Sequence, residues 1–138
     1  LMGQRHKARE YALQALYMHD VGKRPIEEIK NFEWLDTPAD NGSREFSLLL
    51  IEGVISNIEK IDDVIKQHSK NWTPERLAVI DRAILRLAVF EMLFMADIPD
   101  VVTIDESIEL GKTFGGENSG QFINGILDSV KKFKLREA

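Results

Sequence analysis

Residues 73–95 read TPERLAVIDRAILRLAVFEMLFM, and this stretch decides the fold. Thr73 offers a capping hydroxyl, Pro74 suits a first helical position and Glu75 puts an acid in the first turn, so a helix is expected to begin there. Leu77, Ile80, Ile84, Leu87 and Phe94 follow at helical spacing, while Leu85, Ala88, Met92 and Met95 place apolar groups on its other faces. A helix that is apolar nearly all round must be covered on nearly all sides, so it belongs at the centre of a helical protein.

The flanking sequence supplies the covering helices. Upstream, Ala8, Ala12, Leu13, Ala15 and Leu16 mark a first helix that Gly22 is expected to stop as a C-cap. Pro25 opens a short second helix running through Ile29 and Phe32. Residues 36–42 read as a loop, and Ser43 is expected to cap one long helix striped by Ile51, Val54, Ile55, Ile58, Ile61 and Ile65. The polar stretch Gln67 to Asn71 reads as a hinge. Downstream, Ile98-Pro99-Asp100 breaks the central helix, and Thr103 with Glu106 fits a capping box for the next one. Gly115 and Gly116 end that helix. Asn118 or Ser119 caps a last one through Phe122, Ile123, Ile126, Leu127 and Val130. No window alternates with a period of two, so the expected class is all-α with about six or seven helices.

The chain has 138 residues, 43% of them hydrophobic and 30% charged, which fits one globular domain able to bury a core of its own. The expected arrangement is a single domain over 1–138, with helical halves at about 1–70 and 71–138. There is no cysteine, which excludes disulfides, zinc fingers, iron–sulfur sites and thiol nucleophiles. No apolar run approaches the ~18 residues of a membrane span, and the polar residues 1–10 have no signal-peptide core. A cytoplasmic location without a membrane partner is expected. Leu1 ahead of Met2 reads as a remnant before the natural start.

No catalytic, metal or cofactor site is expected. His6, His19 and His68 are scattered, and a zinc site needs three or four convergent ligands. Asp105, Glu106 and Glu109 suit a helix N-terminus better than a cation. Gly111-Lys112-Thr113 imitates the tail of a phosphate loop, but Glu106 stands where that loop needs its first glycine. No serine has a defensible histidine and acid beside it.

Charge points elsewhere. The net charge is −5, yet residues 1–24 carry five Lys/Arg against two Asp/Glu, and residues 25–63 carry three against ten. Local charge decides where a phosphate backbone can dock. Arg5, His6, Lys7 and Arg9 therefore form either a solvated basic face or a phosphate-binding one. Phe114 and Phe122 flank a glycine-rich turn, where aromatics either pack in the core or stack unpaired bases, and Lys112 nearby suits a phosphate. Arg82 and Arg86 make one face of the central helix basic; Arg86 suits a buried acid as well as RNA.

Several stretches, taken in order, resemble the NusB family of bacterial transcription antitermination factors. They are KAREYALQALY at 7–17, IDRAILRLAVFE at 80–91, DIP at 97–99, TIDESIELGKTFG at 103–115 and SGQFINGILD at 119–128. The resemblance implies an all-α fold of two packed three-helix-type bundles. It implies binding of boxA, a short single-stranded element in the leader RNA of ribosomal RNA operons, together with the small-subunit ribosomal protein NusE. Through that pair it implies action with other Nus factors on RNA polymerase, without catalysis. Carried over by position, Arg5, His6, Lys7 and Arg9 match the family's arginine-rich RNA-binding element. Phe114, Asn118 and Phe122 lie where the C-terminal half meets RNA; Arg86 and Lys112 join the RNA-binding candidates on their own charge. Glu75, Arg76, Asp81 and Arg82 lie where the protein partner is expected.

Two departures stand out. His6 and Lys7 occupy places where arginine is typical, and lysine lacks the bidentate fork to phosphate. Gly111 sits mid-helix, at a cost of about 1 kcal/mol relative to alanine. Two other readings fit the same residues. One is a NusB-like RNA-binding part of an RNA cytosine methyltransferase. The other is a structural helical homodimer, and the family includes both monomers and dimers.

Overall fold

The computed structural model describes residues 2–69 and 77–137. Seven helices follow one another: α1 (Met2–Asp20), α2 (Ile26–Ile29), α3 (Asn41–Ser56), α4 (Ile58–His68), α5 (Val79–Phe94), α6 (Asp100–Phe114) and α7 (Ser119–Glu137). The described residues contain no strand. None of their helices is long and apolar enough to cross a membrane.

The central helix is where its apolar residues require it. Nine of the sixteen residues of α5 are buried, and α5 packs on α1, α3, α4, α6 and α7. On one side α1 lies along α3; on the other α6 and α7 pair, and α4 packs on α5 and α7. The two groups share α5, and one continuous core runs through it from Ala12, Leu50 and Ile61 to Ile84, Leu85, Ile123 and Leu127. Gly111 sits at the α6–α7 contact. A Cβ there would come 2.9 Å from the Ile123 side chain and 3.3 Å from the Gly120 nitrogen. The propensity cost of that glycine is thus exchanged for close approach of two helices.

Element boundaries depart from expectation where polar side chains compete for backbone groups. Asp40, not Ser43, caps α3: its carboxylate accepts from the Ser43 N–H at 2.9 Å. That bond, followed by the Ser43 hydroxyl, holds the Asp40 carboxyl below the usual range. The expected long helix is broken at Asn57. There the side-chain amide donates to the Gly53 carbonyl at 2.8 Å, the backbone leaves helical geometry, and α4 begins at Ile58. α2 stops at Ile29, and Phe32 turns back into the core with a φ of 59°. After α1 the left-handed residue is Lys23, at φ 55°, rather than Gly22.

α6 begins directly after Pro99, so Thr103 and Glu106 do not form a capping box. Both side chains are engaged elsewhere: Thr103 with Glu91, Glu106 with His6. Gly115 ends α6 by donating to Gly111, and the Ser119 hydroxyl accepts from Gly116 as α7 begins. The expected helix start at Thr73-Pro74-Glu75 lies outside the described residues.

Candidate nucleic-acid interface

The first turns of α1 send the basic run to three different environments. Ala8, Ala12, Ala15 and Leu16 form the buried stripe, and Arg9 falls within it at 3% exposure. Its Nε and Nη2 donate to the two Glu91 carboxylate oxygens at 2.9 and 2.8 Å, and the Thr103 hydroxyl donates to the same carboxylate at 3.0 Å. A buried guanidinium in such a fork cannot reach a phosphate. Arg9, expected at the RNA surface, is instead a core residue tying α1 to α5.

Arg5 and Lys7 remain exposed. The Arg5 guanidinium lies over the Phe46 ring, 5.0 Å from its centre, which orients it without using its hydrogen-bond donors. His6 turns the other way, towards α6. Its Nε2 is 2.8 Å from Glu10 and its Nδ1 2.8 Å from Glu106. The Glu106 hydrogen bond, aided by the charges of both acids and opposed by desolvation, raises its pKa above the ordinary 6.5.

The second expected group lies further along α6. Lys112 is exposed, with Glu109 at 3.8 Å. Phe114 ends the helix at 37% exposure, Asn118 is exposed in the following turn, and Phe122 is half-buried against the core. Phe114 also walls an apolar cleft of about 310 Å³ with Leu13, Gln14, Tyr17, Met18, Trp34 and Ile80. Glu106 bonds His6, and Phe114 lines the same cleft as Gln14 and Tyr17. Glu106 and Phe114 are eight residues apart on α6, or about 12 Å. Phe114 thus stands about 12 Å along α6 from the point where His6 of the basic run meets that helix, and Phe122 follows on α7.

The arginines of α5 are placed differently. Arg86 donates through Nε and Nη2 to both Asp62 oxygens at 2.9 Å, and its side chain is only 14% exposed. Its fork is occupied by an acid of this protein, so it is not offered to RNA. Arg82 pairs with Asp20. Asp81 is half-buried in the first turn of α5, one residue beyond the cleft residue Ile80. Glu75 and Arg76 lie outside the described residues. Sequence reading did not single out Glu10, Tyr17, Trp34 or Glu91 as part of this arrangement. Glu91 carried a signal, because a lone acid inside an apolar helix needs a buried partner.

Residues 6–132 match the model of the NusB family. The chain belongs to the NusB family. The transcription antitermination protein NusB of Desulforapulum autotrophicum is 44% identical over 138 aligned residues, covering 96% of this chain and 94% of that protein. The solved structure of T. maritima NusB superposes with a TM-score of 0.85 at 43% identity, covering 93% of this chain and 90% of that one. A structure of the antitermination factors NusB and NusE in complex with double-stranded RNA matches with a TM-score of 0.79 at 26% identity, over 96% of this chain and 98% of that one. The expected NusB-like all-α fold is thereby shown. The family match begins at His6, one residue after Arg5, and extends past Phe122.

Proposed function

We propose that this NusB-family chain is a non-catalytic transcription antitermination factor. It binds boxA-type single-stranded leader RNA of ribosomal RNA operons together with NusE, and through other Nus factors it acts on RNA polymerase. The observation that carries the proposal is the full-length likeness to a NusB solved with NusE and RNA. The exposure of Arg5, Lys7, Lys112 and Phe114 supports it. Arg5 and Lys7 supply phosphate contacts, while Phe114, Asn118 and Phe122 supply stacking and base-edge contacts.

NusE docks, in this reading, at the apolar cleft of Tyr17, Trp34, Ile80 and Phe114, and Asp81 and Arg82, which follow Ile80 in sequence, are assigned to the same contact. Glu75 and Arg76, just upstream in sequence, are assigned to the same contact. Phe114 then borders both partners.

Charge gives the reading a quantitative consequence. With Arg9 and Arg86 occupied by acids and a net charge of −5, few cations remain for RNA. Affinity of the chain alone is therefore weak, and a partner beside Phe114 raises it by adding contacts. Titration of fluorescently labelled boxA RNA with and without NusE tests this. At least about tenfold tighter binding with NusE is expected, equivalent to about 1.4 kcal/mol. Equal affinity would sink the cooperative mode, and no binding in either mixture would sink the RNA reading.

A further inference from the structure

His6 stands between two carboxylates that belong to different helices. Glu10 is one turn further along α1, and Glu106 is on α6. Both imidazole nitrogens therefore face acceptors, whereas a neutral imidazole has a single N–H to donate. Only the imidazolium satisfies both bonds. We propose that His6 is a positioning residue: as imidazolium it ties the basic first turns of α1 to α6 and offsets Glu10 and Glu106 beside the RNA path, so that its protonation sets RNA affinity. This rests on the RNA-binding reading above.

The surrounding charges are few. Arg5, Lys7 and Glu10 come from α1, Asp105, Glu106 and Glu109 from α6, and Asp40 precedes α3, where the charge of Lys7 acts on it. Among the described residues, only Glu10 and Glu106 lie within ion-pair distance of His6. One imidazolium against two carboxylates leaves a single negative charge; a neutral imidazole leaves two. A polyanion passing this side binds better in the first state, and by linkage its binding holds the proton on His6 more tightly. The raised pKa brings the change towards neutral pH, and 43% side-chain exposure leaves the ring open to proton exchange. The buried Arg9–Glu91 pair lies on the inner face of α1 and takes no part.

Two measurements test the proposal separately from the reading beneath it. The first needs no RNA: NMR titration of the histidine ring signals of the free protein, with His6→Gln assigning the His6 signal. His6 is expected to titrate above the ordinary histidine value and to move back towards it in Glu106→Gln. Ordinary titration in both proteins overturns the proposal. The second is the affinity for labelled boxA RNA, with NusE present, between about pH 5.5 and about pH 8.5. Wild-type affinity is expected to fall on the order of three- to tenfold as pH rises. His6→Arg, a permanent cation, should stay tight and lose the pH dependence; His6→Gln should be weak and equally flat. A pH dependence that survives unchanged in both variants overturns the role of His6 while leaving RNA binding intact. Absence of RNA binding at every pH overturns the RNA reading itself.

Discussion

The Arg9 guanidinium and the Glu91 carboxylate, 82 residues apart in sequence, form a two-bonded buried pair at 2.8 and 2.9 Å between α1 and α5. The Thr103 hydroxyl adds a bond from α6, so three helices meet on one carboxylate. Removing one partner strands a charge in the core, at a cost of about 3–5 kcal/mol. Arg9→Met and Glu91→Leu are each expected to lower Tm on the order of 10 °C. The double variant should be more stable than either single one, since no charge is then left unpaired. Thermal unfolding followed by circular dichroism checks this. An Arg9→Met protein as stable as wild type would show that the pair does not form in solution.

Gly53 is set by its neighbour rather than by its helix. A Cβ at this position in α3 would overlap the Phe90 ring, which is buried and stacked on Phe94 at 5.4 Å. Alanine gains up to about 1 kcal/mol in helix propensity, but overpacking an ordered ring costs about 1–3 kcal/mol. Gly53→Ala is therefore expected to destabilise the protein. In a Phe90→Leu background the overlap is relieved, and the same substitution should become neutral or stabilising. Urea midpoints of the four proteins give the sign directly; destabilisation of equal size in both backgrounds contradicts the steric account.

How far the sequence carried this structure depended on the range of the interaction. The burial of Ile84, Leu85, Leu87 and Ala88 was legible because periodicity is a local signal. The end of α6 at Gly115 was legible for the same reason. The break at Asn57 was not, because an amide that bonds the Gly53 carbonyl competes with a helical pattern that continues on both sides. At the candidate site, the exposure of Arg5 and Lys7 agreed with a basic face, but Arg9 in the same run is internal. Its partner lies 82 residues away, and only the unmatched Glu91 hinted at it. The cleft was hidden likewise, since Trp34 comes from a loop of unremarkable sequence and lines one cleft with Phe114 only after folding.

Two histidines should act oppositely on stability as pH changes. His6 has a raised pKa, chiefly through its hydrogen bond to Glu106. Its contribution is fully present below the unfolded value near 6.5 and is lost as pH rises through the higher folded value. His68, which bonds Ser129 at 2.8 Å, has a pKa lowered by desolvation. Its contribution is present above about 6.5 and is lost as pH falls through the lower folded value. Denaturant unfolding across about pH 5.5–8 in wild type, His6→Gln and His68→Gln checks this. The gap between wild type and His6→Gln should narrow towards high pH. The wild-type loss of stability on the acid side should be shallower in His68→Gln. Parallel profiles in all three proteins would refute both assignments.

Salt dependence separates the residues that touch RNA from those that merely carry charge. Each phosphate contact to a single strand steepens the fall of log affinity with log salt by about 0.7. Arg5 and Lys7 are exposed on the first turns of α1, and neither has an acid of this protein within ion-pair distance among the described residues. Their guanidinium and ammonium groups are thus available to phosphate. Arg5→Ala and Lys7→Ala are each expected to reduce the slope by about 0.7 in the presence of NusE, and additively if both contact the backbone. Lys66→Ala removes an equal charge from the last turn of α4 and should leave the slope unchanged. Phe114→Ala should weaken binding by about 1–3 kcal/mol at every salt concentration, because stacking releases no counterions. If Lys66→Ala shifts the slope as much as Lys7→Ala, the first turns of α1 are not a contact surface and the protein attracts RNA only through its overall field.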